Sequence, residues 1–396
     1  MIARITRGSA MQRANRRGAF ARLTAAMGWA LGAGLALAAT ACSSSGGEAP
    51  ATSLELTGPA LAAAYADYFP IGAAVMAGEY GTTFTQKYNE ETLSQFNSLV
   101  AENCMKPGVI QPTKGNFAWT YADSLVAYAE DHDMTVRGHV LVWHSQTPAW
   151  MFASSGTQEE KKAHARAEML AHVNAVVGRY KDSVYCWDVV NEAISDSAGS
   201  SIYRTDSPWY QAYGDASFIA DAFDYAKAAD PDALLYYNDY SVVDSSKRAR
   251  IVQMINDLNL KEHGLHGVGI QAHWNLQWPS ISDIQATIDT FHDMGLDVQI
   301  TELDIDCYNN SSQTSAISYS SVENALTERY RSVFKCFRDN QDKISQVTLW
   351  GVADDHTWLD HMIGGSYRQD VTRKNHPLLF DVNAKPKKAF FAVRDF

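Results

Sequence analysis

The sequence predicts an α/β fold, a single (β/α)8 TIM barrel with long βα loops. Three observations point there. Short apolar runs alternate with amphipathic stretches at the rhythm of βα units over about 340 residues. Eight such runs can be counted. The polar residues that interrupt the pattern collect at the carboxyl ends of the runs, where a barrel of this kind builds its site. No Gly-rich loop follows the first run, which argues against an open nucleotide-binding sheet.

Strands are predicted at Ile71–Val75, Ser98–Asn103, Thr135–Trp143, Val184–Asn191, Leu234–Asn238, Val268–His273, Val298–Leu303 and Val347–Gly351. Between them the apolar residues recur every three or four positions. Val322, Leu326, Tyr330, Val333, Phe334 and Phe337 place one greasy face against a sheet. Further helices are expected over Thr120–Asp131, Gln158–Tyr180, Ser217–Ala229, Ser246–Glu262 and Ile281–Met294. No internal repeat and no appended module is visible.

The ends differ from the middle of this 396-residue chain. Residues 1–41 carry six arginines and no acid, followed by an uncharged Ala/Gly/Leu-rich stretch, which reads as a secretory signal rather than a permanent span. Ala39-Thr40-Ala41 before Cys42 has the small residues of a bacterial lipoprotein cleavage site, with Cys42 as the lipid anchor and residues 42–53 as a flexible tether. Ordinary cleavage with Cys42 incidental, and a loose twin-arginine signal at Arg16-Arg17, are the other readings. Residues 54–396 then form the catalytic unit. Without the six arginines the formal charge of −12 becomes −18. Such acidity disfavours nucleic acid and anionic substrates and is compatible with a neutral polymer. Cys104, Cys186, Cys307 and Cys336 show no C-x-x-C spacing for zinc or redox chemistry. Cys186 reads as a small core residue, while Cys307 and Cys336 could pair in an oxidising compartment.

The run VYCWDVVNE, Val184 to Glu192, has no apolar reason to finish in Asn191 and Glu192 unless those groups meet something polar at its mouth. VQITELD, Val298 to Asp304, delivers Glu302 in the same way. Singly, a glutamate after a strand is more often a solvated loop residue or a helix cap. As a pair at strand ends, two glutamates suit acid/base work on one bond. Their surroundings agree. Glu102, Asn103 and Lys106 end the second strand. His139, Trp143, His144 and Gln146 lie on or after the third, Asn238 and Asp239 close the fifth, and Gln271 and His273 the sixth. Trp350, Asp354, Asp355, His356 and Trp358 follow the eighth. Strand alternation puts Gln271 with His273, and Glu302 with Asp304, on common faces. Metal binding by His139, His144 and His273 is a weak reading, since residues five apart on a strand point oppositely and no H-E-x-x-H occurs. Sugar binding explains the mixture better: flat indoles suit the C–H face of a pyranose, and Asn, Gln, His and Lys suit its hydroxyls. The chain's ten Trp and nineteen Tyr suit such a cleft.

The segments ENCMKPG, RGHVLVWHSQTPAW, WDVVNE, YYNDY, GIQAHW, ITELD and LWGVAD also resemble, in order and spacing, those of glycoside hydrolase family 10, the endo-β-1,4-xylanases. The resemblance runs from about Leu54 to the end. It implies an acid/base at Glu192 and a nucleophile at Glu302. By the same match Asn191 holds the sugar 2-hydroxyl, and His273 and Asp304 support the nucleophile. Glu102, Asn103, Lys106, His139, Trp143, Gln146, Gln271, Trp350 and Trp358 become glycone-side binding residues, with Asn238 also among those that meet substrate. Pro107, where many members have Trp, and Ser241, where Asn is common, depart from the pattern without touching the chemistry.

The expected reaction is retaining hydrolysis of internal β-1,4 bonds of xylan, with the two carboxyl groups ~5–5.5 Å apart. No cofactor and no metal is expected, and the protein is expected to be a monomer attached to a membrane through its lipidated N-terminus. A β-1,4-glucan as substrate, and a non-catalytic glycan-binding surface lipoprotein, are the alternatives.

Overall fold

The computed structural model describes residues 54–78, 88–197, 199, 201–308, 310–370 and 373–396. The signal segment, the tether and Cys42 lie outside the described residues.

The first apolar run, Ile71–Val75 (β1), is buried at all five positions, because one face meets helices and the other the barrel interior. Seven more parallel strands complete the ring: Ser98–Ala101 (β2), Thr135–Gly138 (β3), Val184–Asn191 (β4), Leu234–Asp239 (β5), Leu265–Ile270 (β6), Asp297–Asp306 (β7) and Ile344–Leu349 (β8). Each pairs with the next, and β8 pairs both with β7, at Ile344 opposite Val298, and with β1, at Val347 opposite Ile71. The sheet therefore closes on itself as a (β/α)8 TIM barrel and leaves no edge along the ring.

Helices Thr120–Asp131 (α1), Gln158–Arg179 (α2), Phe218–Ala229 (α3), Ser245–Asp257 (α4), Ile281–Asp293 (α5) and Tyr319–Asp339 (α6) bury the faces that their spacing predicts. Three of these starts are fixed by side chains. Thr157 and Glu160 form a reciprocal capping box on α2, and Asp244 and Ser280 accept from the third-residue amides of α4 and α5. A C-terminal helix, Lys388–Arg394 (α7), packs on α6.

Two predicted strands are broken. The third stops at Gly138 and resumes at Val142–Trp143, which pair with Val190 and Asn191 of β4. Between the two stands a cis His139–Val140 peptide. Gly138 is required where β3 passes β4, since a Cβ there would lie 2.1 Å from the indole Cε3 of the fully buried Trp187. The sixth stops at Ile270, because Ala272 takes φ +62°, which no pleated strand accommodates. His273–Asn275 then pair with Asp304–Asp306 of β7. The prediction also ends β7 too early and starts β8 too late.

All four described cysteines are buried, and none is joined to another in a disulfide. Cys186 is the core residue expected. Cys307 and Cys336 do not pair: the Cys307 thiol faces the carbonyl of His376 at 3.3 Å, and the Cys336 thiol faces Gln285. Burial pushes their thiols up to about 12 and about 11.

Candidate active site

The strands' carboxyl ends gather the predicted polar residues into one cluster. Glu192 leaves β4 with φ +56°, while its amide still pairs with the carbonyl of Asn238 at 2.9 Å. The sheet thus holds the residue at the mouth while its backbone already turns away. Its carboxylate receives the Trp143 indole N–H at 2.7 Å and the Gln271 amide at 2.8 Å.

Glu302 rises from the middle of β7 and is 4 % exposed. Asn238 Nδ2 donates to it at 2.7 Å. The same Nδ2 donates to Asn191 Oδ1 at 2.9 Å, and Gln271 Nε2 reaches that oxygen at 3.3 Å as well as Glu192. A continuous chain, Glu302–Asn238–Asn191–Gln271–Glu192, therefore links the two carboxylates through residues on or just beyond four strands. Thr301 donates to the carbonyl of the Asn238 amide at 2.7 Å, which orients the amide with its nitrogen toward Glu302.

On its other side Glu302 meets His273. Nε2 stands 3.1 Å from Glu302 and Nδ1 3.0 Å from Asp304, whose second oxygen takes the Trp358 indole N–H at 2.7 Å. Burial alone would push the imidazolium down, but the two carboxylates outweigh it and raise His273 to about 10. Its ring is therefore cationic at neutral pH and donates to both acids. Burial pushes Glu302 up as well, but the hydrogen bond from His273 and the nearby His139 and His273 rings prevail and hold it below its ordinary value. Burial wins at Asp304, which is raised.

The expected glycone-side residues fall around this centre. Glu102 is gripped by His356 at 2.9 Å, and Lys106 donates to Asn103 at 2.8 Å with its ammonium 5.1 Å from the Trp143 ring. Trp350 sits between His139 and His273, edge to face with both, and Trp358 is edge to face with His273 at 4.7 Å. The two indoles and the histidines form a wall beside Glu302. Gln146 is exposed with φ +46°, its carbonyl accepting from Gly108 at 2.7 Å. Asn238 is wholly buried, and its amide is used in the chain just described. His139, His144 and His273 take separate neighbours: Asp188 for the first, and the pair Glu302 and Asp304 for the last. The His144 ring has Nδ1 3.9 Å from Glu192, and burial, with Arg204 nearby, lowers it to about 4. Pro107 opens a short helix, Pro107–Ile110, and Ser241 takes φ +52°, a conformation in which Asn is more at ease.

Sequence reasoning missed Asp188 and Arg137. Both are 1 % exposed and lie inside the barrel below the site. They form a forked ion pair, and Asp188 also fixes His139 at 3.0 Å. Opposite charges on two otherwise apolar strands were the available signal.

Comparison with known proteins agrees with this geometry. The model of glycosyl hydrolase family 10 matches residues 60–396. The chain belongs to glycosyl hydrolase family 10. Among family-10 relatives, an endo-1,4-beta-xylanase of Geobacillus stearothermophilus is 41% identical over 339 residues, covering 85% of this chain and 98% of the relative. Endo-1,4-beta-xylanase B of Paenibacillus barcinonensis is 38% identical over 340 residues, 85% of this chain and 97% of its own. Among solved family-10 folds, xylanase B of Clostridium stercorarium F9 superposes with a TM-score of 0.77 at 37% identity, covering 85% of this chain and 100% of that one.

Proposed function

We propose that the protein is an endo-1,4-β-xylanase that cleaves internal bonds of xylan with retention, Glu302 acting as nucleophile and Glu192 as acid/base. The observation that carries the assignment is the hydrogen-bonded chain between the two buried carboxylates. The family and its xylanase relatives support the polymer.

Glu302, held ionised, attacks the anomeric carbon while Glu192 gives its proton to the departing glycosidic oxygen. The bond to the aglycone breaks as a glycosyl ester on Glu302 forms. Glu192, now without its proton, takes one from water, whose oxygen attacks the anomeric carbon and frees Glu302. Asn191 has its oxygen occupied by Asn238 and Gln271, which leaves its Nδ2 hydrogens for the sugar 2-hydroxyl. The wall of Trp350 and Trp358 bounds the glycone, where xylose differs from glucose by lacking the 6-hydroxymethyl group.

The test is the release of reducing ends from unsubstituted β-1,4-xylan and β-1,4-glucan by the purified protein. Short xylo-oligomers from xylan alone support the proposal. Cleavage of glucan moves the substrate, and silence on both with retained xylan binding points to a glycan-binding protein instead.

The same proposal places the protein, as a monomer, on a cell-envelope membrane through lipidated Cys42. The basic, apolar and small-residue sequence of residues 1–42 supports this. Cys42→Ala should move the protein from the membrane pellet to the soluble fraction. An unchanged distribution would reject the anchor.

A further inference from the structure

Glu192 does its proposed work from a backbone conformation that costs a non-glycine residue energy, so something must hold it there. Two side chains converge on its turn. The Tyr237 hydroxyl accepts from the amides of Ala193 at 3.0 Å and Ile194 at 3.2 Å, the two residues that follow Glu192. Arg204, twelve residues on, returns along the loop and donates from Nε to the carbonyl of Glu192 itself at 3.1 Å. Its own amide donates to the carbonyl of Ala193 at 2.8 Å.

Neither group is free to turn away. A tyrosine hydroxyl has one proton and two lone pairs. The proton goes to Asp239 Oδ2 at 2.5 Å, so both lone pairs remain for the two amides. Asp239 is wholly buried, with Oδ1 fixed by the Lys247 ammonium at 2.8 Å and the Tyr240 amide at 2.9 Å. Arg204 gives Nη2 to Tyr240 at 2.9 Å and to Asp196 at 3.0 Å. Lys247 also reaches Asp196 at 3.2 Å, which joins the two arms. None of these groups bonds to the Glu192 carboxylate, which is left to Trp143 and Gln271.

We propose that Tyr237 and Arg204, braced by Asp239 and Lys247, are positioning residues that set the aim of Glu192 by clamping the left-handed turn at its backbone. The inference rests on Glu192 being the acid/base. Loosening the clamp then impairs proton transfer to and from Glu192 and spares attack by Glu302, which stands on another strand and has other partners. A misaimed acid of this sort loses about 10²-fold in rate.

The test compares Tyr237→Phe, Arg204→Lys and Glu192→Ala in the full chain. Two substrates are used: xylan, whose leaving group needs a proton, and 2,4-dinitrophenyl β-xylobioside, whose leaving group does not. For Tyr237→Phe the expected result is a loss of about 10²-fold on xylan with an unchanged initial burst of dinitrophenolate and a slowed steady state after it. Arg204→Lys keeps the charge and should lose less on xylan with the same selectivity; it carries the test if Tyr237→Phe does not fold. Equal losses in xylan turnover and in the dinitrophenolate burst, or none in either, in the clamp variants overturn the proposal. If Glu192→Ala itself loses xylan turnover and the burst equally, the acid/base assignment fails; if it alone is leaving-group selective, only the clamp fails.

Discussion

His273 lies with Nε2 3.1 Å from Glu302 Oε2, and the ring's other nitrogen is fixed by Asp304 at 3.0 Å. A cation so placed keeps Glu302, the proposed nucleophile, ionised before substrate arrives. Glu302 therefore stays charged below its ordinary 4.5, and the acid limb of kcat/KM should lie below pH 4.5 on a substrate that needs no leaving-group proton. His273→Asn should move that limb upward. A limb unchanged in the variant would remove His273 from this role.

The same ring links to stability. Its folded value of about 10 exceeds the ordinary 6.5, so its contribution is fully present below pH 6.5 and is lost as pH rises through about 10. The difference in unfolding free energy between the native protein and His273→Asn, followed from neutral to alkaline pH, should shrink over that interval.

Trp143 donates its indole N–H to Glu192 at 2.7 Å. Phenylalanine keeps an aromatic face, smaller than the indole, and removes the donor. A hydrogen bond to a charged group is worth about 1.5–3 kcal/mol, so Trp143→Phe should lower kcat/KM on xylan by about ten- to a hundredfold at unchanged thermal midpoint. Loss of binding alone, with kcat intact, would place Trp143 in the glycone wall only.

Arg137 and Asp188 form an ion pair inside the barrel, each 1 % exposed. Breaking one side strands the other charge away from water. Arg137→Leu should cost about 3–5 kcal/mol in urea unfolding. A loss under 1 kcal/mol would mean that water or another cation reaches Asp188.

Trp358 closes the second oxygen of buried Asp304 at 2.7 Å. Trp358→Phe should cost about 1–3 kcal/mol of stability, the desolvation penalty of an orphaned acceptor. Denaturant midpoints of the two proteins give the comparison directly.

Much of this was legible in the chain. Apolar runs long enough to be buried on both faces announced the strands, and Glu192 and Glu302 stood out because each ends or interrupts such a run. The breaks were not legible. Ala272 carries no sign that it will adopt φ +62°, since alanine disfavours it, and only tertiary pairing of His273–Asn275 with β7 imposes it. Gln271 and His273 were expected on one face by alternation. Both do reach the site, but across that break rather than along a pleat. Arg204 was invisible for a different reason. It lies in an irregular loop, and its bond to the Glu192 carbonyl exists only because the loop folds back through Ile194 and Tyr203. Asp188 and Arg137 could have been paired from their charges, but nothing in the spacing says that β3 and β4 bring them together.

In the proposed mechanism Glu302 forms the covalent bond to sugar while Glu192 serves the leaving oxygen. Incubation with 2,4-dinitrophenyl 2-deoxy-2-fluoro-β-xylobioside, followed by peptide mass spectrometry, tests it most directly, because the fluorine slows release of the glycosyl ester. One equivalent of fluoroxylobiosyl label on Glu302, in the native protein and in Glu192→Ala alike, and none at all in a folded Glu302→Gln protein, is the predicted result. Label on Glu192 or another residue, or turnover without any label on the native protein, would contradict it.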